Sequence, residues 1–367
     1  MSNAGVGLYA GATRYPAVNL YLIHQNDLAP GIRQARPGSL IGLRADIGRD
    51  EGQIPWNEPA LYAADFFVDN YILPAVQRAG IGVYDFCLGP NENFGEDLGS
   101  LQYRAAVETR IMTRVQYCVD MPAWWKPLAY AWGGISVGHI EKGELVLFRD
   151  LWLHAWAVNY HGYLGDRRVT LAQETDPYFL WRPLSLWLPS LQSYPWWQAA
   201  KRKFRILLGE TGPKTCDLLP ADGRAKLTIS IHNAFDKACS SSGVDFVGVC
   251  AYGFGLVGGD NDPNDQRFWN LNGHEGIFEA AAINESVPQR PVIPKWGDEA
   301  MTLSEQYRTQ YTEWVAAGGD PEGDFRAHLV GTGTLPTTET EMDKLKARRA
   351  GLDQQIENTA RKLGPKV

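Results

Sequence analysis

The chain has 367 residues, of which 44% are hydrophobic and 21% charged. That is enough apolar material for one large core, and it excludes a disordered or collagen-like chain. With 35 Lys and Arg against 42 Asp and Glu, the net charge is -7. A broad basic field of the kind that binds nucleic acid is therefore absent. The 13 Trp, 16 Tyr and 13 Phe suit a packed core, and they equally suit a cleft that stacks on sugar rings.

Residues 1–16 lack a basic stretch followed by a continuous apolar one. The expectation is cytoplasmic synthesis without a signal peptide, with a place of work in the cytoplasm or in a virion after release. Every apolar stretch is broken by Gly, Pro or charge, so no membrane span is expected. Cys87, Cys118, Cys216, Cys239 and Cys250 are odd in number and form no Cys-x-x-Cys. They read as free thiols, not as a disulfide scaffold or a zinc site.

In chain order, residues 6–10 read as a first strand, and 20–23 as a strand or the start of a helix. Residues 39–45 are a strand. Residues 60–79 are a helix that Pro74 kinks and Gly80 closes. Residues 81–88, rich in β-branched and aromatic side chains, are a strand, and 103–119 a helix. Residues 128–132 are a strand, a helix falls within 147–158, and 159–164 is short and strand-like. Prolines make 181–191 ambiguous. Residues 204–208 and 244–251 are strands flanking a helix at 225–238.

Residues 253–274, rich in Gly, Asp and Asn, form a long loop. A helix over 302–316, a linker over 317–338 and a last helix over 339–363 follow. That helix carries Met342, Leu345, Leu352, Ile356 and Leu363 on a heptad seam interrupted by Arg349 and Thr359. The seam suits packing back on the preceding domain and weak self-association equally. A homo-oligomer or a phage-particle partner would meet the chain there.

The alternation of strand and helix from residue 5 to about 255 argues for helices around a mainly parallel sheet. Seven strands, or eight if 20–23 is one, fit an α/β (β/α)8 TIM barrel. The rival doubly wound sheet lacks its glycine-rich dinucleotide loop, and no phosphate-binding GxxxxGK[ST] occurs. The expected division is a barrel over 1–300, including the long loop, and a C-terminal helical appendage over 301–367.

Two strand ends carry the chemistry. Strand 81–88 runs into Gly89-Pro90-Asn91-Glu92, and strand 204–208 runs into Gly209-Glu210-Thr211. In a barrel both Glu residues lie at the face where active sites are built. Paired carboxylates suit glycosidic hydrolysis: one protonates the leaving oxygen, the other attacks the anomeric carbon. Asn91 is placed to hydrogen-bond a sugar hydroxyl.

On these residues the chain resembles the clan of retaining (β/α)8 glycoside hydrolases that includes cellulases, β-galactosidases, xylanases and xylosidases. The resemblance spans roughly residues 5–300. It implies that Glu92, in Asn91-Glu92 after strand 4, is the acid/base, and that Glu210, after strand 7, is the nucleophile. It implies that Arg44 supports the nucleophile and that His161-Gly162-Tyr163 supplies a Tyr hydrogen bond to it. Trp269 resembles the Trp that stacks on sugar at the cleavage point. Trp132 and Trp56 are expected to offer further stacking faces. Where the clan carries an aromatic ahead of Asn-Glu, this chain has Leu88-Gly89-Pro90.

Rival readings exist in the same sequence. Trp56-Asn57-Glu58-Pro59 matches the clan's tetrapeptide better, but it follows polar residues, and Pro59 suggests a helix start. Gly134-Ile135-Ser136-Val137-Gly138 fits a serine-hydrolase elbow, with Glu210 or Asp245 and His274 as partners. The segment from His139 to Gly143 does not begin a convincing helix, as that elbow requires. His274-Glu275 lacks a third ligand, and Asp260, Asp262 and Asp265 do not complete a calcium loop, so no metal is expected. No organic cofactor is implied. The expected function is a retaining glycoside hydrolase acting on a poly- or oligosaccharide. The alternatives are a non-catalytic carbohydrate-binding or virion barrel, and a serine hydrolase using Ser136.

Overall fold

A computed structural model describes the backbone of residues 5–9 and 98 and, with side chains, residues 17–23, 28–45, 54–55, 58–91, 99–135, 140–213, 219–251, 271, 274–282 and 290–293. The expected C-terminal helices, their linker and nearly all of the 253–274 loop lie outside the described residues.

Eight strands form a closed barrel: β1 (Gly5–Tyr9), β2 (Leu20–Ile23), β3 (Leu40–Leu43), β4 (Phe86–Leu88), β5 (Ala129–Ile135), β6 (Ala157–Tyr163), β7 (Arg205–Gly212) and β8 (Asp245–Ala251). Each pairs in parallel with the next, and β8 pairs with β1. Residues 20–23 are thus a strand, and the count is eight. The helices between strands are α1 (Ala29–Ala35), α2 (Ala60–Phe67), α3 (Leu73–Ala79), α4 (Leu98–Tyr117), α5 (Arg149–His154), α6 (Leu188–Ser193), α7 (Pro195–Ala200) and α8 (Ala221–Ser242); α9 (Glu275–Ala282) follows β8. The architecture is the (β/α)8 barrel expected from the sequence. Among the described residues no helix is long and apolar enough to cross a membrane.

Every residue of β2, β3, β4 and β5 is buried. The barrel interior covers one face of each strand and the helices cover the other. These strands therefore read as continuous apolar runs without alternation. The expected strand over 81–88 shortens to Phe86–Leu88, because the chain turns at Gly80 and Gly82 before β4 begins. Pro74 stands at the start of α3 (Leu73–Ala79), a separate element from α2. A π-turn at Val68–Ile72 precedes it, and the Leu73 N–H donates to the Val68 carbonyl. The wider turn relieves the clash between the proline ring and the preceding carbonyls. A second π-turn at Pro183–Trp187 stands before Pro189 in the same way.

Helix α4 packs its stripe of Leu101, Val107, Ile111, Met112 and Val115 inward. Its other side is tied to α2 and the π-turn after it: Arg110 bonds Asp65 at 2.8 Å, and Arg114 bonds Asp69 at 2.8 Å. Two members of the inward stripe are charged, Arg104 and Glu108, and both are fully buried.

Trp132 corrects an expectation. Its ring stacks on Phe148 at 5.1 Å and meets Trp152 edge-on at 4.7 Å, and the residue is 1% exposed. It points outward from β5 into the layer beneath α5, so it is core and offers no face to a sugar. Trp132→Ala should cost about 3–5 kcal/mol of stability in urea unfolding.

Candidate active site

Glu210 lies near the C-terminal end of β7 and is 6% exposed. Its direction is set by an irregularity in the strand. Tyr160 pairs with Leu208 and the next residue, His161, pairs with Glu210, so Gly209 is an extra residue on β7. A bulge of this kind re-aims the side chain beside it. A side chain at 209 would overlap the amide of Asn159, which is buried on β6; only glycine fits there.

Three side chains converge on the carboxylate. Arg44, just beyond β3, donates from Nη1 to Oε1. Tyr163 donates its hydroxyl to Oε2 at 2.6 Å, and His161 Nδ1 lies 3.5 Å from the same oxygen. His161 and Tyr163 sit on β6, whose ladder with β7 continues through Tyr163–Gly212 to a Leu164 N–H bond to Gly212 at 3.0 Å. Burial alone would push the Glu210 carboxyl up. Attraction to His161 and Arg44, with hydrogen bonds from Tyr163 and Arg44, outweighs it and holds the group at about 2. Glu210 is a buried carboxylate kept ionised. Cys250 on β8 lies in the same field, and burial pushes its thiol far above the usual range.

The end of β4 is built differently. The Gly89 N–H bonds the Ala131 carbonyl at 2.9 Å, and Pro90 and a half-buried Asn91 follow. A side chain at 89 would overlap the Glu108 carboxylate and the Tyr130 hydroxyl, which accounts for the glycine there. Glu92 lies outside the described residues, as do Trp269, Trp56, Ser136 and His139. Glu58 stands just before α2, where its carbonyl accepts the Tyr103 hydroxyl at 2.5 Å.

Among the expected site residues, the structure thus brings Arg44, His161, Tyr163 and Glu210 together, and places Asn91 at the exit of β4. It adds Asn159, whose buried amide abuts Gly209. It also adds Arg104, Glu108 and Tyr130, which pack beneath β4's exit. The sequence signal for the last group was slight: an Arg and a Glu four residues apart on the apolar stripe of a helix. Among the described residues no cluster of three or more His, Cys, Asp or Glu is placed to hold a metal ion, and the described cysteines are free.

No protein-family model and no curated protein matches the chain. Solved structures similar to it include a glucosidase from Croceicoccus marinus, with 13% identity, TM-score 0.44, and coverage of 74% of this chain and 55% of that one. A glycoside hydrolase family 5 enzyme from Prevotella bryantii is 11% identical at TM-score 0.38, covering 72% and 82%. A broad-specificity endoglucanase from an uncultured bacterium is 11% identical at TM-score 0.40, covering 73% and 81%. The chain thus spans little more than half the length of the glucosidase.

Three measurements test the electrostatics. Tyr163→Phe removes one hydrogen bond to the charged carboxylate, so NMR titration of the Glu210 carboxyl should rise from about 2 by about one pH unit. The depressed pKa also stabilises the fold above the ordinary carboxylate range; that contribution should drain away as pH falls through about 2. Arg44→Met leaves a buried charge without its main partner and should cost about 3–5 kcal/mol in urea unfolding. Combining it with Glu210→Leu removes both charges and should recover most of that loss.

Proposed function

We propose that the chain is a retaining glycoside hydrolase that cleaves O-glycosidic bonds of a poly- or oligosaccharide. The observation that carries this reading is Glu210: a buried carboxylate at the C-terminal end of a barrel strand, held ionised by Arg44, Tyr163 and His161. A carboxylate that attacks an anomeric carbon must be charged at neutral pH and aimed by fixed partners. Water must also be kept from solvating its lone pairs. Arg44 on one oxygen and Tyr163 on the other supply the orientation.

In this reading Glu92, next after Asn91, is the general acid. It protonates the leaving oxygen as Glu210 bonds to the anomeric carbon. Once deprotonated, it activates the water that releases the sugar from Glu210. Asn91 binds a hydroxyl near the reacting carbon, a contact that helps most if it tightens in the oxocarbenium-like transition state. Trp269 offers the stacking face at the cleavage point.

The test is turnover of a panel of aryl β-glycosides and intact polysaccharides by the wild type and by Glu210→Gln. The wild type should release product, and the first-formed anomer seen by NMR should keep the configuration of the substrate. Glu210→Gln should lose on the order of 10⁴-fold in kcat. Turnover that survives in the variant removes Glu210 as nucleophile. Binding of a polysaccharide by the wild type with no turnover points instead to a carbohydrate-binding barrel.

A further inference from the structure

Between α4 and the C-terminal ends of β4 and β5 lies a buried polar group with no part in the chemistry above. Arg104 and Glu108, one turn apart on α4, have side chains 1% and 0% exposed. Arg104 Nε donates to Glu108 Oε1 at 2.8 Å. Its Nη2 donates to two backbone carbonyls: that of Pro90, at the exit of β4, and that of Gly133, on β5, at 2.7 Å. The Tyr130 hydroxyl donates to Glu108 Oε2, and the Gly133 N–H reaches Oε1 at 3.3 Å. One guanidinium thus ties two strand ends together, and one carboxylate holds that guanidinium in place.

Neighbouring backbone strengthens the same junction. Gly133 pairs with Asn159 and Ile135 with Tyr160, so Gly134 is an extra residue on β5. It has φ +69, and a side chain there would press on the Pro90 carbonyl and the Asn91 backbone. Pro90 itself has a fixed φ and restricts the residue before it. The direction in which the chain leaves β4 is therefore held from three sides.

Stability alone does not explain such a group. A buried ion pair is often no better than well-packed apolar side chains of the same volume. What apolar side chains cannot do is bind two carbonyls at set positions. We infer that Arg104, Glu108 and Tyr130 are positioning residues that fix Pro90 and Asn91, and through them the general acid Glu92, without touching substrate. The inference rests on the glycosidase reading and adds the device that aims its acid.

The test uses leaving groups of different basicity on one sugar. A dinitrophenyl glycoside departs without a proton, whereas a phenyl glycoside needs the acid. In Tyr130→Phe and Glu108→Gln, kcat/KM for the phenyl glycoside should fall by about 10- to 100-fold. For the dinitrophenyl glycoside the glycosylation step should change by less than about 3-fold, since the nucleophile is undisturbed. Tyr130→Phe loses a single hydroxyl and serves if Glu108→Gln does not fold. A parallel fall on both substrates, or no fall on either, overturns the inference. Glu210→Gln is the control for the underlying reading and should lose both substrates together. If it keeps them, or if the wild type turns over neither, the glycosidase reading itself fails.

Discussion

Keeping a carboxylate charged inside a protein costs several kcal/mol unless counter-charge and hydrogen bonds are already in place. Here that requirement is met across the full width of the barrel. Arg44 leaves β3 and Glu210 sits on β7. Three strands separate them on either side, β4 to β6 one way and β8, β1 and β2 the other. The two residues meet only if the sheet closes. Every strand pairing in the barrel thus bears on one ion pair, and the short β2 matters as much as the long β7.

Departures from regular pairing complete the arrangement. The extra residue at Gly209 turns Glu210 into line with His161, and the extra residue at Gly134 brings β5 against the exit of β4. A regular parallel ladder would present alternate residues to the two faces of the sheet at fixed intervals. These two bulges break that interval near the C-terminal ends of strands, where the side chains have chemical work; another irregularity, between β7 and β8, falls lower, at Ile206 and Leu207.

Much of this was legible from residues alone. The alternation of apolar runs with amphipathic stretches gave the barrel, and Glu at the end of an apolar run marked β7. Arg44, His161 and Tyr163 followed from the resemblance, and they do converge on Glu210. Other features were hidden for physical reasons. Every residue of β5 is buried, so its pattern cannot tell which side chains face the interior; Trp132 was misread for that reason. The strand at 81–88 was overlong because Ile81 and Val83, though β-branched, belong to a turn. Arg104 and Glu108 drew no reading at all, since nothing local to a helix reports what lies across from it. The π-turn ahead of Pro74 was hidden too, because propensity does not anticipate one.

The bulge at Gly209 also changes how β7 can vary in its descendants. A point change at 210 alters the chemistry of the carboxylate, but losing a single residue anywhere between Leu208 and Glu210 would do something else. It would restore even pairing with β6 and leave Glu210 opposite His161, but it would remove the bulge that sets the direction of the side chain. Carboxylate identity and register could survive such a deletion while its aim did not. For this strand the number of residues is inherited information on the same footing as their kind.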